Sequence, residues 1–226
     1  MLPPDAYVQT LQNLYRQHAN PPNAELMARY MKNQFAFFGL KKPERTALSE
    51  QMIAQYGVPE GADLRAVCQL CFEAEQREMQ YFVHDLLGKK IIKQLDARFL
   101  ELLESLMLQK SWWDSIDFLA PKLAGNILMR HPEAIARYPL RWIESDNIWL
   151  QRAAILFQLD YKNRTDAPLL FALIARRADS KEFFVQKAAG WALRSYSRFQ
   201  PEAVRQFIAE TPLSKLTVRE GLKRLS

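Results

Sequence analysis

The segment Trp149-Leu150-Gln151-Arg152-Ala153-Ala154 returns 35 residues later as Phe184-Val185-Gln186-Lys187-Ala188-Ala189, and Tyr161 and Tyr196 fall into the same register. Carried one step back, the offset brings Trp113-Asp114-Ser115-Ile116-Asp117-Phe118 into line, so Asp117, Arg152 and Lys187 occupy equivalent positions of three successive units. A period of this length is that of stacked helical hairpins, each burying its apolar face against the next. The tetratricopeptide and ankyrin patterns are absent, which favours a HEAT-like solenoid, where equivalent positions line one continuous and often concave surface. The expected fold is therefore all-α, a superhelical stack of hairpins with three charged side chains in a row and a concave basic groove.

The rest of the chain agrees with helices. It has seven glycines and no alternating β-branched pattern, while segments rich in Ala, Leu, Gln, Arg, Lys and Glu recur at helical period. Helix starts are predicted at Asn23, at Pro43-Glu44, at Pro132-Glu133 and at Pro201-Glu202, where a capping side chain or a proline fits the first turn. The connectors, such as 55–61 and 162–168, are short, and no long polar linker divides the 226 residues, so one domain is expected over 1–226. The longest apolar runs fall short of the roughly 20 residues of a bilayer-spanning helix, and the N-terminus lacks a basic segment followed by an apolar one. The expectation is a cytoplasmic, monomeric protein without a membrane partner.

Charge is uneven. Residues 118–226 carry 18 Lys and Arg against 10 Asp and Glu, whereas residues 1–117 carry 13 against 15. A polyanion-binding surface produces such asymmetry, and a solvated basic face accounts for it equally well.

Several chemistries are poorly supported. His18, His84 and His131 form no cluster with metal-ligand spacing, and no P-loop, dinucleotide fingerprint or G-x-S-x-G turn occurs. No metal or cofactor is expected. Cys68 and Cys71 form a C-x-x-C pair, but they lie in a helical stretch without a second ligand pair, which reads as two buried structural thiols.

The segment Lys110-Ser111-Trp112-Trp113-Asp114-Ser115-Ile116-Asp117 sets two indoles before two carboxylates. Trp113 and Asp117 are four apart and share a helix face. Asp114 reads as an acid of a solvated first turn and Trp112 as a packing residue. Asp117 lies deeper in the apolar run and in register with two cations, so it is the candidate catalytic carboxylate. Trp191 follows Lys187 by four residues, an arrangement suited to a charged ligand, although a core tryptophan explains that segment taken alone. Arg152 reads equally as a phosphate clamp or as an ion pair. The turn from Phe37 to Arg45 is basic and could meet a nucleic-acid backbone.

These runs resemble the AlkD-like alkylpurine DNA glycosylases, a family of HEAT-like repeats, over nearly the whole chain. The resemblance rests on Ala24 to Asn33, on Phe38-Gly39-Leu40 with Pro43-Glu44-Arg45, on Ser111 to Asp117, on Ser145 to Leu159, and on Lys181 to Ala188 with Gly190-Trp191. It implies that Asp117 is the catalytic acid side chain, that Trp113 and Trp191 contact the deoxyribose and backbone of the lesion, that Arg152 holds a phosphate, and that Tyr30 supports the site. Lys187, Arg194 and Arg45 complete the candidate DNA contacts. Relatives that lack the carboxylate recognise unusual DNA structures instead, so Asp117 favours an enzyme acting on alkylated double-stranded DNA.

The chemistry suits these residue types. Alkylation at N3 or N7 makes a purine cationic, so its glycosidic bond is primed to break without a general acid. What remains is to stabilise positive charge growing on the sugar and to place a water, which an ionised carboxylate can do. A unit charge pair at about 4 Å and an effective dielectric of about 20 is worth roughly 4 kcal/mol, or roughly three decades in rate. Indoles add about 0.5–2 kcal/mol each through cation–π contact. An open groove has no snug pocket for an extruded base, and the resemblance implies that the base stays largely in the duplex. Neutral lesions such as uracil are not expected to be excised. A non-catalytic binder of damaged or branched DNA, and a HEAT scaffold for a protein partner, are the competing readings.

Overall fold

The computed structural model describes residues 2–225, and these residues are helical with a single isolated bridge between Ala36 and Gln76 in place of any sheet. They fall into two compact units, Met1–Ile92 and Lys93–Ser226. No helix among them is long and apolar enough to cross a membrane.

The first unit holds α1 (Pro4–Gln17), α2 (Pro21–Tyr30), α3 (Lys42–Tyr56), α4 (Gly61–Glu73) and α5 (Arg77–Asp85). Tyr7, Leu11, Tyr15, Val67, Phe72 and Phe82 form its core without exposure, each large side chain contributing about 1.5–3 kcal/mol by leaving water. Helix α2 starts before the expected Asn23. Asn20 is the cap, accepting the Asn23 N–H at 3.1 Å, and Pro21 and Pro22 fill the first turn, where a missing N–H costs nothing.

The loop from α2 to α3 is tied down rather than free. Glu78 is fully buried, and its carboxylate accepts the N–H groups of Phe38, Gly39 and Leu40 at 3.0, 2.8 and 3.1 Å. Gly39 has φ +91°, and a Cβ there would lie 2.0 Å from the Asn20 carbonyl oxygen, so no other residue fits. Cys68 and Cys71 in α4 are buried free thiols, and burial pushes the Cys68 thiol up to about 12, which suits packing and not redox chemistry.

The second unit holds α6 (Leu100–Leu108), α7 (Trp113–Phe118), α8 (Gly125–Arg130), α9 (Pro139–Glu144), α10 (Ile148–Leu156), α11 (Ala167–Ala175), α12 (Phe183–Tyr196), α13 (Pro201–Glu210) and α14 (Lys215–Leu222). The start expected at Pro132 yields only a 3₁₀ turn, Pro132–Ala134. The 35-residue register is physical. Gln151 donates to the Ser145 carbonyl at 2.7 Å and Gln186 to the Ser180 carbonyl at 2.7 Å, so the same side chain ties the same connector in consecutive units. Helix α10 packs against both α7 and α12. It is buried almost all round, through Leu150, Ala153, Ala154, Ile155 and Leu156, as a central helix must be.

Candidate active site

Arg152 sits on this central helix and is only 5% exposed. A buried guanidinium must be paired, and Asp117 supplies the partner in a bidentate grip, Nε to Oδ1 at 2.8 Å and Nη2 to Oδ2 at 2.9 Å. The remaining nitrogen, Nη1, donates to the Phe184 carbonyl at 2.6 Å. Three successive units thus meet at one guanidinium, which fixes the carboxylate in place.

Local sequence explains why Asp117 is where it is. Pro121 lies four residues on and can neither donate to the Asp117 carbonyl nor avoid crowding it. The helix responds by widening into a π-helical turn over Leu119–Ala124, before α8 resumes. Such turns often accompany functional sites. Gly125 closes the turn against the next unit, because a Cβ there would lie 2.1 Å from the Phe157 carbonyl oxygen, and the Gly125 carbonyl accepts the Tyr161 hydroxyl at 2.7 Å.

The Asp117 side chain keeps 18% of its surface exposed against 6% for Arg152. The carboxylate is therefore the end of the pair that solvent reaches. An ionised carboxylate has about four lone-pair positions, and bidentate pairing uses two, so the others can take a water or a substrate group. Burial pushes the Asp117 carboxyl above the usual aspartate range, Arg152 opposes that shift, and Asp114 adds to it.

Trp113 opens α7 one turn before Asp117 and is half-buried. Trp112 packs instead into an aromatic cluster, its ring centre 5.6 Å from Trp149 and 5.3 Å from Phe184, with Trp149 and Phe184 4.9 Å apart. This cluster, which the sequence did not reveal, borders the Arg152 side, with the guanidinium carbon 6.0 Å from the Phe184 ring centre.

Lys187, third in the charged row, faces away from the Asp117 pair toward α14. Its Nζ lies 3.1 Å from Glu220, and Arg194 and Lys223 reach the same carboxylate at 3.0 and 2.7 Å. Lys223, whose hydrogen bond contributes most, and Lys187 hold the Glu220 carboxyl down at about 2. Trp191 lines the adjoining cleft between α12 and α14 together with Arg194.

The remaining expected DNA contacts lie in the first unit. Tyr30 ends α2 and is 69% exposed. Arg45 is turned inward at 7% exposure, with its guanidinium carbon 4.7 Å from the Tyr81 ring centre and its Nε 3.5 Å from Asp85. It is held as a core ion pair, so it reaches a phosphate only by leaving these partners. Arg152 is under the same constraint, and in this geometry it positions the carboxylate. Among the described residues, no three His, Cys, Asp or Glu side chains converge where they could hold a metal ion.

Comparison with known proteins matches the chain to a family. A solved structure described as a predicted DNA alkylation repair enzyme from Enterococcus faecalis is 33% identical, with a TM-score of 0.85, covering 92% of this chain and 97% of that one. A comparison with curated proteins returned no match. The model of the DNA alkylation repair enzyme family matches residues 11–225, across both units, and the chain belongs to that family.

Proposed function

We propose that this protein is a DNA glycosylase that removes cationic N3- and N7-alkylated purines from duplex DNA, with Asp117 as the catalytic carboxylate. The observation that carries the reading is the Asp117–Arg152 pair: a carboxylate fixed at both oxygens, partly exposed, with lone pairs left over, on a unit rich in cations. As the bond to the damaged base stretches, the sugar turns positive. Asp117 stabilises that charge and accepts a hydrogen bond from the attacking water, taking its proton as the C1′–O bond forms. Because the base leaves as a neutral purine, no acid is needed to protonate it.

Arg152 tempers this effect. The field of a pair is dipolar, so the stabilisation is smaller than the roughly 4 kcal/mol of an isolated charge at contact distance. In return the guanidinium keeps the carboxylate ionised and oriented without reorganisation during the reaction. Trp113, on the same helix face, adds a π surface to the positive sugar. The base is released from the stack without a protein pocket, and the protein acts as a monomer on double-stranded DNA.

The bidentate grip is also the observation that favours a second reading, a binder of damaged DNA without chemistry. One assay separates them. Methylated duplex incubated with the wild type should release free methylated purine, while a uracil-containing duplex releases none. Tight binding of the methylated duplex with no free base selects the second reading, and uracil release at a comparable rate contradicts the proposed chemistry.

A further inference from the structure

We infer that Trp149, packed against Trp112 and Phe184, is a positioning residue for the Asp117–Arg152 pair. It sets the Phe184 carbonyl that holds Nη1 of the guanidinium, and thereby the direction in which the Asp117 carboxylate faces. The inference rests on the reading of Asp117 as the catalytic group and deepens it.

The three rings come from the starts of the three helices that build the pair. Trp112 is the N-cap of α7, which carries Asp117; Trp149 is in the first turn of α10, which carries Arg152; Phe184 is in the first turn of α12 and itself supplies the carbonyl. Their ring centres form a closed triangle, with Trp149 5.6 Å from Trp112 and 4.9 Å from Phe184, and Trp112 5.3 Å from Phe184, separations at which tilted and edge-on rings attract. Trp149 and Phe184 are equivalent positions of consecutive units. The backbone beneath both is fixed. The Asn147 side chain accepts the Trp149 and Leu150 N–H groups at 2.9 and 3.2 Å, and Gln186 ties the start of α12 to the Ser180 carbonyl at 2.7 Å.

This triangle stands apart from the hydrophobic core. Ile116, Leu150 and Val185 on the same helices are buried, whereas the three rings are half-buried beside Arg152, with Phe183 exposed at the rim, its ring centre 5.3 Å from Phe184. Among the described residues the Trp112 indole N–H has no acceptor although it is buried. An unpaired donor costs stability, so the placement of the ring outweighs its polar atom. The rings keep water from the guanidinium, whose hydrogen bonds to Asp117 then meet little competition. They also register α7, α10 and α12 against one another. With Nη1 held by the Phe184 carbonyl, Nε and Nη2 are left facing the carboxylate. Without the Trp149 ring the start of α12 is no longer held against α10, Nη1 loses its fixed acceptor, and the carboxylate swings with the guanidinium. Misplacement of a reacting group by about 1 Å costs up to about 100-fold in rate.

The test is a double-mutant cycle between Trp149→Leu and Asp117→Asn, read as single-turnover base release from methylated duplex and as the unfolding midpoint in denaturant. Trp149→Leu should slow base release about tenfold with duplex affinity unchanged. Trp149→Phe, the ring that the next unit carries at this position, should keep the rate to within about threefold. In the Asp117→Asn background Trp149→Leu should change the residual rate by less than about twofold, because no carboxylate remains to be misplaced. Trp112→Leu opens the same triangle from α7 and should repeat this pattern, so it carries the test where Trp149→Leu does not fold. Equal slowing in both backgrounds means that Trp149 acts by another route and overturns the inference. A loss of duplex affinity that matches the loss of rate makes the ring a DNA contact and overturns it too. If the wild type frees no methylated base, the glycosylase reading fails and the unfolding midpoints decide the positioning. Non-additive shifts then keep Trp149 as an anchor of the pair, and additive shifts overturn it.

Discussion

Two carboxylates in the second unit are held by members of one row of cations, and they end in opposite states. Arg152 and Lys187 are 35 residues apart and structurally equivalent. Arg152 turns back to Asp117 of the preceding unit, while Lys187 turns forward to Glu220. Asp117 has one cation, some solvent exposure and a carboxyl pushed up by burial. Glu220 has three cations, almost no exposure and a carboxyl held at about 2. A singly paired carboxylate keeps lone pairs and basicity for chemistry, whereas a triply paired one is committed to holding helices and to setting out their cations.

Altering Asp117 should have the largest effect. Asp117→Asn changes the local charge from balanced to positive, because Arg152 remains and now opposes a positive sugar, so base release should fall roughly 100- to 1,000-fold. Binding of the methylated duplex should be kept, which a titration beside the kinetics will show. A similar loss on Glu220→Gln would erase the contrast between the two carboxylates.

Arg152→Ala should come next, as a loss of stability. It strands a largely buried carboxylate, and removal of one partner of such a pair costs about 3 kcal/mol, readable in a denaturant titration. Trp191→Ala should slow base release about tenfold if the indole stabilises the cationic sugar, with a smaller effect on the melting temperature.

Altering Glu220 should have the smallest effect on base release and gives the clearest sign in stability. Its folded carboxyl is depressed from 4.5 to about 2, so its contribution to stability is present above 4.5 and lost as pH falls through that window. Glu220→Gln should lower the neutral-pH melting temperature and flatten the stability curve between pH 4.5 and about 2. Asp117→Asn should leave that stretch of the curve in place.

Much of this was legible in the sequence because repeats and helix caps are local signals. The register that aligns Asp117, Arg152 and Lys187 comes from the 35-residue repeat, and the stripe Lys187, Trp191, Arg194, Arg198 can be read from helical period. Register does not say which neighbour a long side chain reaches. Arg152 and Lys187 choose opposite directions because Asp117 lies before one and Glu220 after the other, and Glu220 has no counterpart in the repeat. Arg45 looked like part of a basic turn, yet Leu48, Ser49 and Met52 follow it at buried helical spacing, a sign that it faces inward. Its partners Tyr81 and Asp85 come from a distant helix, as does Glu78, which pins the α2–α3 loop. The aromatic cluster around Phe184 was hidden for the same reason.

The pH dependence of single-turnover base release from methylated duplex, with enzyme in excess, bears most directly on the role of Asp117. Chemistry by the ionised carboxylate requires a rate that climbs with pH through one ionisation, displaced above the ordinary aspartate value of 3.8 by burial, and a low, flat profile for Asp117→Asn. A wild-type rate independent of pH across that range, or the same rising limb in the variant, would mean that another group carries the reaction.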